Sequence, residues 1–181
     1  YFIRPFVVDW DGDDDLDLMI GQECGHISFV ETENGKLLAE KFIQQKNPNV
    51  KSGCAAVPTL ADWDGDGDTD IIVGTATGFL ELYENHNDGF KPVKRMHAGG
   101  KEIRFLAGEF GSVQGPIEAR WGYLCPEITD WDMDGDLDIV AGCATGENLY
   151  WENTGSKSNP VLASVQKIKV DWGGTDPVYP D

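Results

Sequence analysis

Short apolar runs separated by polar turns extend along the whole chain, and their lengths are those of β-strands. Three of these runs, LMIG, IIVG and IVAG, end in Gly and directly follow a strongly acidic stretch. No segment carries the 3.6-residue apolar period of an amphipathic helix. The pattern therefore predicts an all-β chain.

The apolar runs form three sets of four predicted strands. The first set covers residues 3–8, 16–21, 26–31 and 38–44. The second covers 55–61, 70–74, 79–84 and 93–97, and the third covers 123–129, 138–142, 148–152 and 165–170. The third strands run into similar stretches, ISFVETENG, LELYENHNDG and LYWENTG, each with an Asn and Gly turn signal.

Three copies of one nine-residue acidic loop join the first and second strands of the sets. They read DWDGDDDLD at 9–17, DWDGDGDTD at 62–70 and DWDMDGDLD at 130–138. The loops hold 16 of the 32 acidic residues and no Lys or Arg, so the formal net charge of −18 is concentrated there. Such a loop repels itself, which favours a bound divalent cation over the alternative of an acidic turn without metal.

The spacing of the acids favours calcium, with about three structural ions expected. We expect the side chains at the first, third, fifth and ninth positions to point inward and the seventh residue to offer its backbone carbonyl. Magnesium needs stricter octahedral geometry, and zinc prefers His or Cys, which the loops lack. The predicted metal residues are Asp9, Asp11, Asp13, Asp15, Asp17, Asp62, Asp64, Asp66, Asp68, Asp70, Asp130, Asp132, Asp134, Asp136 and Asp138.

Two loop positions depart from the shared pattern. Asp14 stands where the other copies have Gly, and Asp tolerates the left-handed backbone region that a tight turn needs. Met133 stands where the others have Gly, and we expect its side chain to point outward. The Trp of each loop lies between two predicted ligands, and we expect Trp10, Trp63 and Trp131 to pack in the core between neighbouring strand sets, a functional role being the alternative.

An EF-hand does not fit these loops, because it needs a Glu at position twelve and flanking helices. Position twelve is Ile20, Val73 or Ala141. The stretches DWDGDDDLDLMIG, DWDGDGDTDIIVG and DWDMDGDLDIVAG instead resemble FG-GAP/VCBS repeats, the calcium-loop blades of integrin-type β-propellers. The resemblance implies a β-propeller arc of three four-stranded blades, part of a larger propeller of about seven blades.

The spacing of the loops agrees with blade-length repeats, since they start 53 and then 68 residues apart. We expect blades at about 1–46, 53–97 and 123–170, an inter-blade loop at 98–122 and a tail at 171–181. The chain begins inside a predicted strand, so we expect a longer protein whose remaining blades come from the same chain or another chain. A six-blade ring built from two copies is the alternative.

The four Cys residues give two possible pairs. Cys125 and Cys143 lie equally far from the centre of the third loop and are expected to face each other across a hairpin, and Cys24 and Cys54 are placed to meet between blades. Four free, buried thiols are the alternative. An even Cys count and calcium loops both favour an extracellular, periplasmic or cell-surface location.

The connection at 98–122 is the candidate ligand site, because long loops on rigid scaffolds often bind ligands. An Arg beside a Trp suits a sugar or uronate, since the ring stacks and the carboxylate is paired. Packing against the next blade is the alternative. The candidate residues are His97, Arg104, Glu118, Arg120, Trp121 and Tyr123.

Two classes of function remain open. The first is a calcium-binding module that acts as a carbohydrate- or protein-binding scaffold. The second is part of a propeller-fold polysaccharide lyase or another carbohydrate-active enzyme, with His97, Tyr123 and Arg104 as base, acid and carboxylate neutraliser. Nucleic acid is disfavoured because no basic stripe exists, and no transmembrane run is visible.

Overall fold

The computed structural model describes residues 3–44, 51–86, 89–108 and 120–169, and strands are the regular elements of this part of the chain. The prediction of an all-β chain is confirmed for these residues. Within the same ranges the chain has no helix that is long and apolar enough to cross a membrane.

The first sheet has four antiparallel strands: β1 (Ile3–Val8), β2 (Asp17–Gln22), β3 (Ile27–Val30) and β6 (Lys41–Phe42). They lie side by side in the order β1-β2-β3-β6. Between β3 and β6 in the sequence, a small separate hairpin is formed by β4 (Thr32–Glu33) and β5 (Lys36–Leu37). Asn34 and Gly35 form its turn with positive φ, as a tight two-residue hairpin turn requires.

The second and third sheets repeat this arrangement with neighbouring strands consecutive in sequence. The second contains β7 (Val57–Ala61), β8 (Asp70–Gly74), β9 (Leu80–Tyr83) and β10 (Lys94–Arg95). A hairpin of β11 (His97–Ala98) and β12 (Lys101–Glu102) follows it. The third contains β13 (Cys125–Thr129), β14 (Asp138–Gly142), β15 (Asn148–Trp151) and β16 (Gln166–Lys167).

Each predicted strand overlaps an observed one, and the bounds of β1, β8 and β14 agree with the prediction at both ends. The fourth strands are shorter than predicted, with two residues each. The two small hairpins were not predicted, because strands of two residues are too short to show an alternation of apolar and polar positions.

The core lies in two layers, one on each face of the second sheet. Alternate residues of a strand point to opposite faces, so Ile71 and Val73 of β8 join one layer and Ile72 joins the other. The first layer includes Met19 and Ile27 of the first sheet. The second layer includes residues of the third sheet and of the segments that flank its strands, which are Leu124, Ile139, Ala141, Leu149, Trp151 and Leu162.

The loop Trp residues do not all occupy the predicted environment. Trp63 has only 5% of its surface exposed and belongs to the layer between the second and third sheets. Trp10 is half-buried, with its ring centroid 6.2 Å from that of Phe90. Trp131 is 49% exposed, so the prediction of core packing is wrong for this residue. The difference follows from the order of the sheets, because Trp10 and Trp63 each face a following sheet.

The Cys prediction is wrong in register. Cys125 pairs with Gly142 across β13 and β14, so Cys143 lies one position beyond the predicted partner. A one-residue offset places two side chains on opposite faces of a sheet, so the pair does not face each other. All four Cys residues are free thiols. The alternative of four buried thiols fails as well, because Cys24 is exposed and the others are half-buried.

Glycine at the end of β8 allows the third sheet to approach closely. A Cβ at Gly74 would lie 2.1 Å from the carbonyl oxygen of Leu124 and 2.5 Å from Cδ of Pro126. Gly21, at the end of β2, is in the same situation, with the oxygen of Ala56 at 2.2 Å. These contacts fix the distance between successive sheets.

We expect Gly74→Ala to destabilise the fold, because the added methyl group meets backbone atoms that cannot move without separating two sheets. The loss should be about 2 kcal/mol, within the usual cost of overpacking. Gly142→Ala is the matched control, since a Cβ there has no atom within 4 Å. Thermal melts of the two variants at low protein concentration test this, and equal melting temperatures would contradict it.

Candidate metal centre

The ninth Asp of each loop is a buried bridge between the loop and the third strand of its sheet. Asp17 accepts a hydrogen bond at Oδ2 from the backbone N–H of Trp10 (3.1 Å) and at Oδ1 from that of Thr32 (2.7 Å). Asp70 does the same with Trp63 (3.1 Å) and Asn85 (2.7 Å). All three ninth residues are 1% exposed. The bridge ties the start of each loop to the chain beyond the third strand.

Asp138 completes the pattern in the third loop. It accepts from the backbone N–H groups of Trp131 (3.0 Å) and Asn153 (2.8 Å), and the hydroxyl of Tyr150 also donates to it at 3.2 Å. The same two backbone bonds therefore recur in three segments of different sequence. A carboxylate holding two amide donors can still use its remaining lone pairs for a cation.

The first Asp of each loop accepts hydrogen bonds from backbone N–H groups three to five residues later. In the first loop Asp9 accepts from Gly12 (2.8 Å), Asp13 (3.2 Å) and Asp14 (3.2 Å). In the third loop Asp130 accepts from Asp134 (3.0 Å) and Gly135 (3.1 Å). These bonds curl the loop so that its alternate carboxylates converge.

The carboxylates do converge in each loop. One oxygen from each of Asp9, Asp11 and Asp13 lies within 4.8 Å of the others, and the same holds for Asp62, Asp64 and Asp66. In the third loop the group consists of Asp130, Asp132 and Asp138. Thus the first, third and fifth positions meet in two loops, and the first, third and ninth meet in the third loop. Six of the fifteen predicted metal residues lie outside these groups of three: Asp15, Asp17, Asp68, Asp70, Asp134 and Asp136.

Asp14 and Met133, the two loop residues that stand where the other copies have Gly, behave as the sequence predicted. Asp14 has φ of 71°, beside 95° for Gly67 and 100° for Gly135, which confirms the left-handed conformation. The side chain of Met133 is 88% exposed, which confirms that it points outward. Its φ of 65° matches Gly12 and Gly65, a backbone strain that was not predicted.

The electrostatics of the loops favour a cation. Burial raises the pKa of Asp70 to about 6, and nearby Asp64 and Asp66 add to the rise. The pKa values of Asp11 and Asp132 are also raised, first by partial desolvation and then by the next carboxylate in the loop. Each rise means that the charged form is penalised in the metal-free loop.

The donor set fits calcium. The converging groups within the loops supply only carboxylate oxygens, the hard donors that Ca²⁺ prefers, and each loop also has backbone carbonyls. In the third loop, Oδ1 of Asp136 is buried without a hydrogen-bond partner. A buried carboxylate oxygen without a hydrogen-bond donor is costly, and a cation in the loop would compensate it, so this atom fits the predicted ion.

Two basic side chains beside the second loop were not anticipated from the sequence. Nζ of Lys157, from the turn between β15 and β16, lies 3.6 Å from Oδ2 of Asp62. Nδ1 of His86 lies 3.6 Å from Oδ2 of Asp66, and His86, Asp66 and Asp68 also form a converging group. Alignment of the three strand ends could have found His86, because it follows Asn85, the residue that holds Asp70.

The contacts of the described ligand candidates do not join them into one group. The guanidinium of Arg104 lies 4.9 Å from the ring centroid of Phe79. Nδ1 of His97 lies 3.0 Å from the carbonyl oxygen of Arg95. Trp121 and Tyr123 stack with centroids 5.7 Å apart and an interplanar angle of 18°. Arg120 is exposed, and Glu118 lies outside the described residues.

The first part of the 98–122 connection packs against the sheets. Ile103 is buried in the second core layer, and the backbone N–H of Phe105 donates to the carbonyl oxygen of Gly78 at 2.8 Å. The backbone N–H of Gly122 likewise donates to the oxygen of Ala76 at 2.7 Å. At these two ends the connection therefore packs against the sheets, which was the alternative to a ligand-binding role. The residues between them at 109–119 are outside the described part.

A comparison with known protein families assigns one part of the chain to a family. Residues 62–141 match the family model described as FG-GAP-like repeat. The match spans the second and third acidic loops with the strands between them, and it confirms the resemblance drawn from the loop sequences. No curated protein and no solved structure matches the chain.

We expect the metal-free protein to lose stability as the pH rises from 4 to 6. The pKa of Asp70 is about 6 in the folded chain and near 3.8 otherwise, so the folded state binds the extra proton in this window. Deprotonation therefore penalises the folded state. Melting temperatures measured with a chelator should fall across the window, and the slope should flatten in Asp70→Asn. An unchanged slope in that variant would contradict the assignment.

Proposed function

Residues 62–141 of this chain belong to the FG-GAP-like repeat family, and we propose on this basis that the chain is a calcium-binding β-propeller module. Each acidic loop holds one calcium ion, about three in all, and the ions are structural. The module acts as a carbohydrate- or protein-binding scaffold outside the cell or at its surface. Binding of calcium, the location and the ligand are parts of the proposal.

The observation that carries the proposal is the threefold recurrence of one loop geometry. In each copy a buried ninth Asp accepts from the loop Trp and from the residue two positions after the third strand. In each copy three carboxylates converge around one point. The first loop lies outside the family match but shares this geometry, so we extend the proposal to all three.

A propeller architecture accounts for the packing of the sheets. The three four-stranded sheets follow one another in sequence, and the second packs on both neighbours through its two faces. In a propeller, neighbouring blades pack in this way around a central channel. We propose that further blades complete the ring and come from the same longer chain or from another chain.

An extracellular, periplasmic or cell-surface location suits loops of this kind. Extracellular calcium modules bind with dissociation constants of about 0.1–1 mM, a range in which cytosolic calcium would leave them empty. The proposed location does not depend on the Cys residues, which are free thiols.

The proposed ligand surface combines Arg120 with the stacked rings of Trp121 and Tyr123. Arg120 and Tyr123 are exposed and Trp121 is half-buried, so this group offers an aromatic face next to a guanidinium. Such a pairing suits a sugar ring or a protein side chain with a carboxylate. The lyase alternative is not part of the proposal, because in the described structure His97 lies against Arg95, Arg104 against Phe79 and Tyr123 against Trp121.

Calorimetric titration of the chelated protein with calcium should reveal about three sites, one for each loop. The expected stoichiometry follows from the three converging groups of loop carboxylates. Zinc and magnesium serve as comparison ions. A stoichiometry near zero, or tighter binding of zinc than of calcium at all sites, would contradict the proposal.

Calcium should also stabilise the fold, because the ion removes the repulsion among inward carboxylates. Linkage gives about 2.7 kcal/mol per site at a hundredfold excess of calcium over Kd. We expect Asp66→Ala to lower the melting temperature in calcium and to reduce the difference between calcium and chelator by about one third, one site of three.

Two controls separate lost calcium from lost loop geometry. Oδ1 of Asp66 accepts from the backbone N–H of Asp68 at 2.9 Å, and Asp66→Asn keeps that acceptor while removing the charge. If calcium is the cause, Asn should also reduce the calcium effect, although less than Ala does, because its amide oxygen can still bind the ion. Glu33→Ala removes an exposed acid outside the loops and should behave as the parent. Full recovery of the calcium effect in Asp66→Asn would assign the loss to geometry.

Ligand binding should depend on the Arg120 and Trp121 side chains. We expect the double variant Arg120→Ala/Trp121→Ala to lose binding on a glycan array, because both the cation and the aromatic face are removed. Lys36→Ala, an exposed cation in the first sheet's small hairpin, is the control and should bind as the parent does. Binding that persists in the folded double variant would place the ligand site elsewhere.

A further inference from the structure

A nitrogen donor stands beside the second acidic loop, at a position where the first and third sheets have none. His86 directly follows Asn85, and its counterparts, counted from the first Asp of each loop, are Glu33 and Thr154. Imidazole is a ligand that first-row transition metals such as zinc bind well, whereas calcium prefers oxygen. The second loop therefore has beside it a donor that suits a different class of ion.

The imidazole of His86 converges with two carboxylates of the loop. One ligand atom from each of His86, Asp66 and Asp68 lies within 4.8 Å of the others. Nδ1 of His86 is 3.6 Å from Oδ2 of Asp66, which is too long for a hydrogen bond. Two atoms that bind one zinc ion at about 2.0–2.2 Å, with a tetrahedral angle between them, stand about 3.4 Å apart. The observed spacing is therefore close to that of two ligands around one ion.

The loop itself orients the two carboxylates. Oδ1 of Asp66 accepts a hydrogen bond from the backbone N–H of Asp68 at 2.9 Å, and Oδ2 is the oxygen that faces His86. Asp68 is not a member of the converging group that Asp62, Asp64 and Asp66 form within the loop. An ordinary surface ion pair accounts for His86 beside Asp66, but it gives no reason for Asp68 to converge with them. A group of three ligands accounts for all three side chains.

The backbone of His86 is held on both sides. Its N–H donates to Oδ1 of Asn85 at 2.9 Å, and its carbonyl oxygen accepts from the N–H of Gly89 at 2.6 Å. Asn85 in turn donates its own backbone N–H to the buried Asp70 at 2.7 Å. The imidazole is thus attached at a point fixed to the loop, and ligands that are already positioned lose less conformational entropy when they bind a metal.

A polar crevice of about 390 Å³ beside the group gives an ion room for water ligands. Asp68 and Asn85 line it on the side of the second loop, and Asp9 and Asp11 line it on the side of the first. Zinc takes four ligands or more, so three protein ligands leave at least one position for water. The acids across the crevice add negative charge, which favours a cation at this place.

We propose that His86, Asp66 and Asp68 bind one transition-metal dication of the zinc class beside the calcium ion of the second loop. Nδ1 of His86 and one oxygen of each carboxylate are its protein ligands, and water in the crevice completes the coordination. Asp66 belongs to both groups and bridges the two ions, in the manner of two-metal sites whose ions lie about 3.5–4 Å apart. The neighbouring calcium rests on the proposed function, whereas the three ligands do not.

The test titrates the calcium-saturated chain with zinc by calorimetry and with cobalt(II) by visible absorbance, because the cobalt spectrum reports the ligands around the ion. All four Cys residues are free thiols and thiolates also bind zinc, so they are alkylated with iodoacetamide first. His86→Gln removes the nitrogen ligand, and Asp62→Asn alters the calcium group without touching this one. His97→Gln is the matched control, since His97 is also exposed and its Nδ1 lies 3.0 Å from the carbonyl oxygen of Arg95.

The parent, Asp62→Asn and His97→Gln should each bind one zinc ion and give the same cobalt spectrum. His86→Gln should lose that spectrum and bind zinc at least about tenfold more weakly, since even an outer-shell partner is worth that much to a metal site. Asp68→Asn should also weaken zinc. Calcium titration of the chelated variants should give the opposite pattern, with calcium weakened in the second loop of Asp62→Asn and unchanged in His86→Gln.

Absence of a zinc site in the alkylated parent would overturn this proposal, and with about three calcium ions still bound it would leave the proposed function intact. Zinc binding as tight in His86→Gln as in the parent would overturn it, as would an equal loss in His97→Gln, which would indicate adventitious binding to exposed imidazoles. Zinc that enters only as a calcium ion leaves would overturn the bridged arrangement. A zinc site that depends on His86 in a chain that binds no calcium would contradict the proposed function and support the three ligands.

Discussion

The ninth Asp of each acidic loop is the interaction on which the rest of the structure depends. It is a carboxylate buried to 1% exposure, and it holds two backbone amides that lie fifteen and seven residues away in the chain. An ionised group in such a place is costly unless its hydrogen bonds are satisfied, so loop and third strand must keep their positions together. Because the loop Trp is one of the donors, the same bond also orients the aromatic ring that packs between sheets. Loop shape, sheet geometry and inter-sheet packing are therefore linked through one side chain.

In each acidic loop, hydrogen bonds from backbone amides hold the carboxylates in place, although the carboxylates repel one another. Each ninth Asp accepts from two backbone amides, whereas each fifth Asp accepts from the one amide two residues later, so backbone donors compensate the negative charge of the loop only in part. The second loop receives additional positive charge from neighbouring elements, with Lys157 3.6 Å from Asp62 and His86 3.6 Å from Asp66. These contacts are exposed and contribute little to stability, so they do not neutralise the three converging carboxylates of the loop. They do make the second loop electrostatically different from the first and third, although the sequences of the loops are nearly the same.

The sequence predicted the strands and loops well because both depend on local signals. The positions of β2, β8 and β14 follow directly from the alternating Asp residues and the apolar run that comes after them. The left-handed backbone of Asp14 could be predicted as well, because the other two loops have Gly at that position. Contacts between distant residues were predicted less well. The disulfide hypothesis failed because the hairpin centre lies half a residue from the centre assumed, which moves Cys143 to the other face. Lys157 was missed because nothing in its own surroundings indicates which loop it approaches, whereas His86 could have been found from its place directly after Asn85.

Trp131 shows a second limit of prediction from sequence, which concerns the burial of a side chain. The three loop Trp residues stand in equivalent places in the sequence, and the local argument that they pack between sheets is the same for each. Their environments differ because burial of this ring requires a sheet that comes later in the stack: Phe90 and the third sheet supply it for Trp10 and Trp63. A repeat unit of this kind buries its faces only against neighbours, so each unit completes the core of the one before it. Exposure of the last Trp is then a property of the stack and not of the residue, which is why a sequence window around Trp131 could not have distinguished it from Trp63.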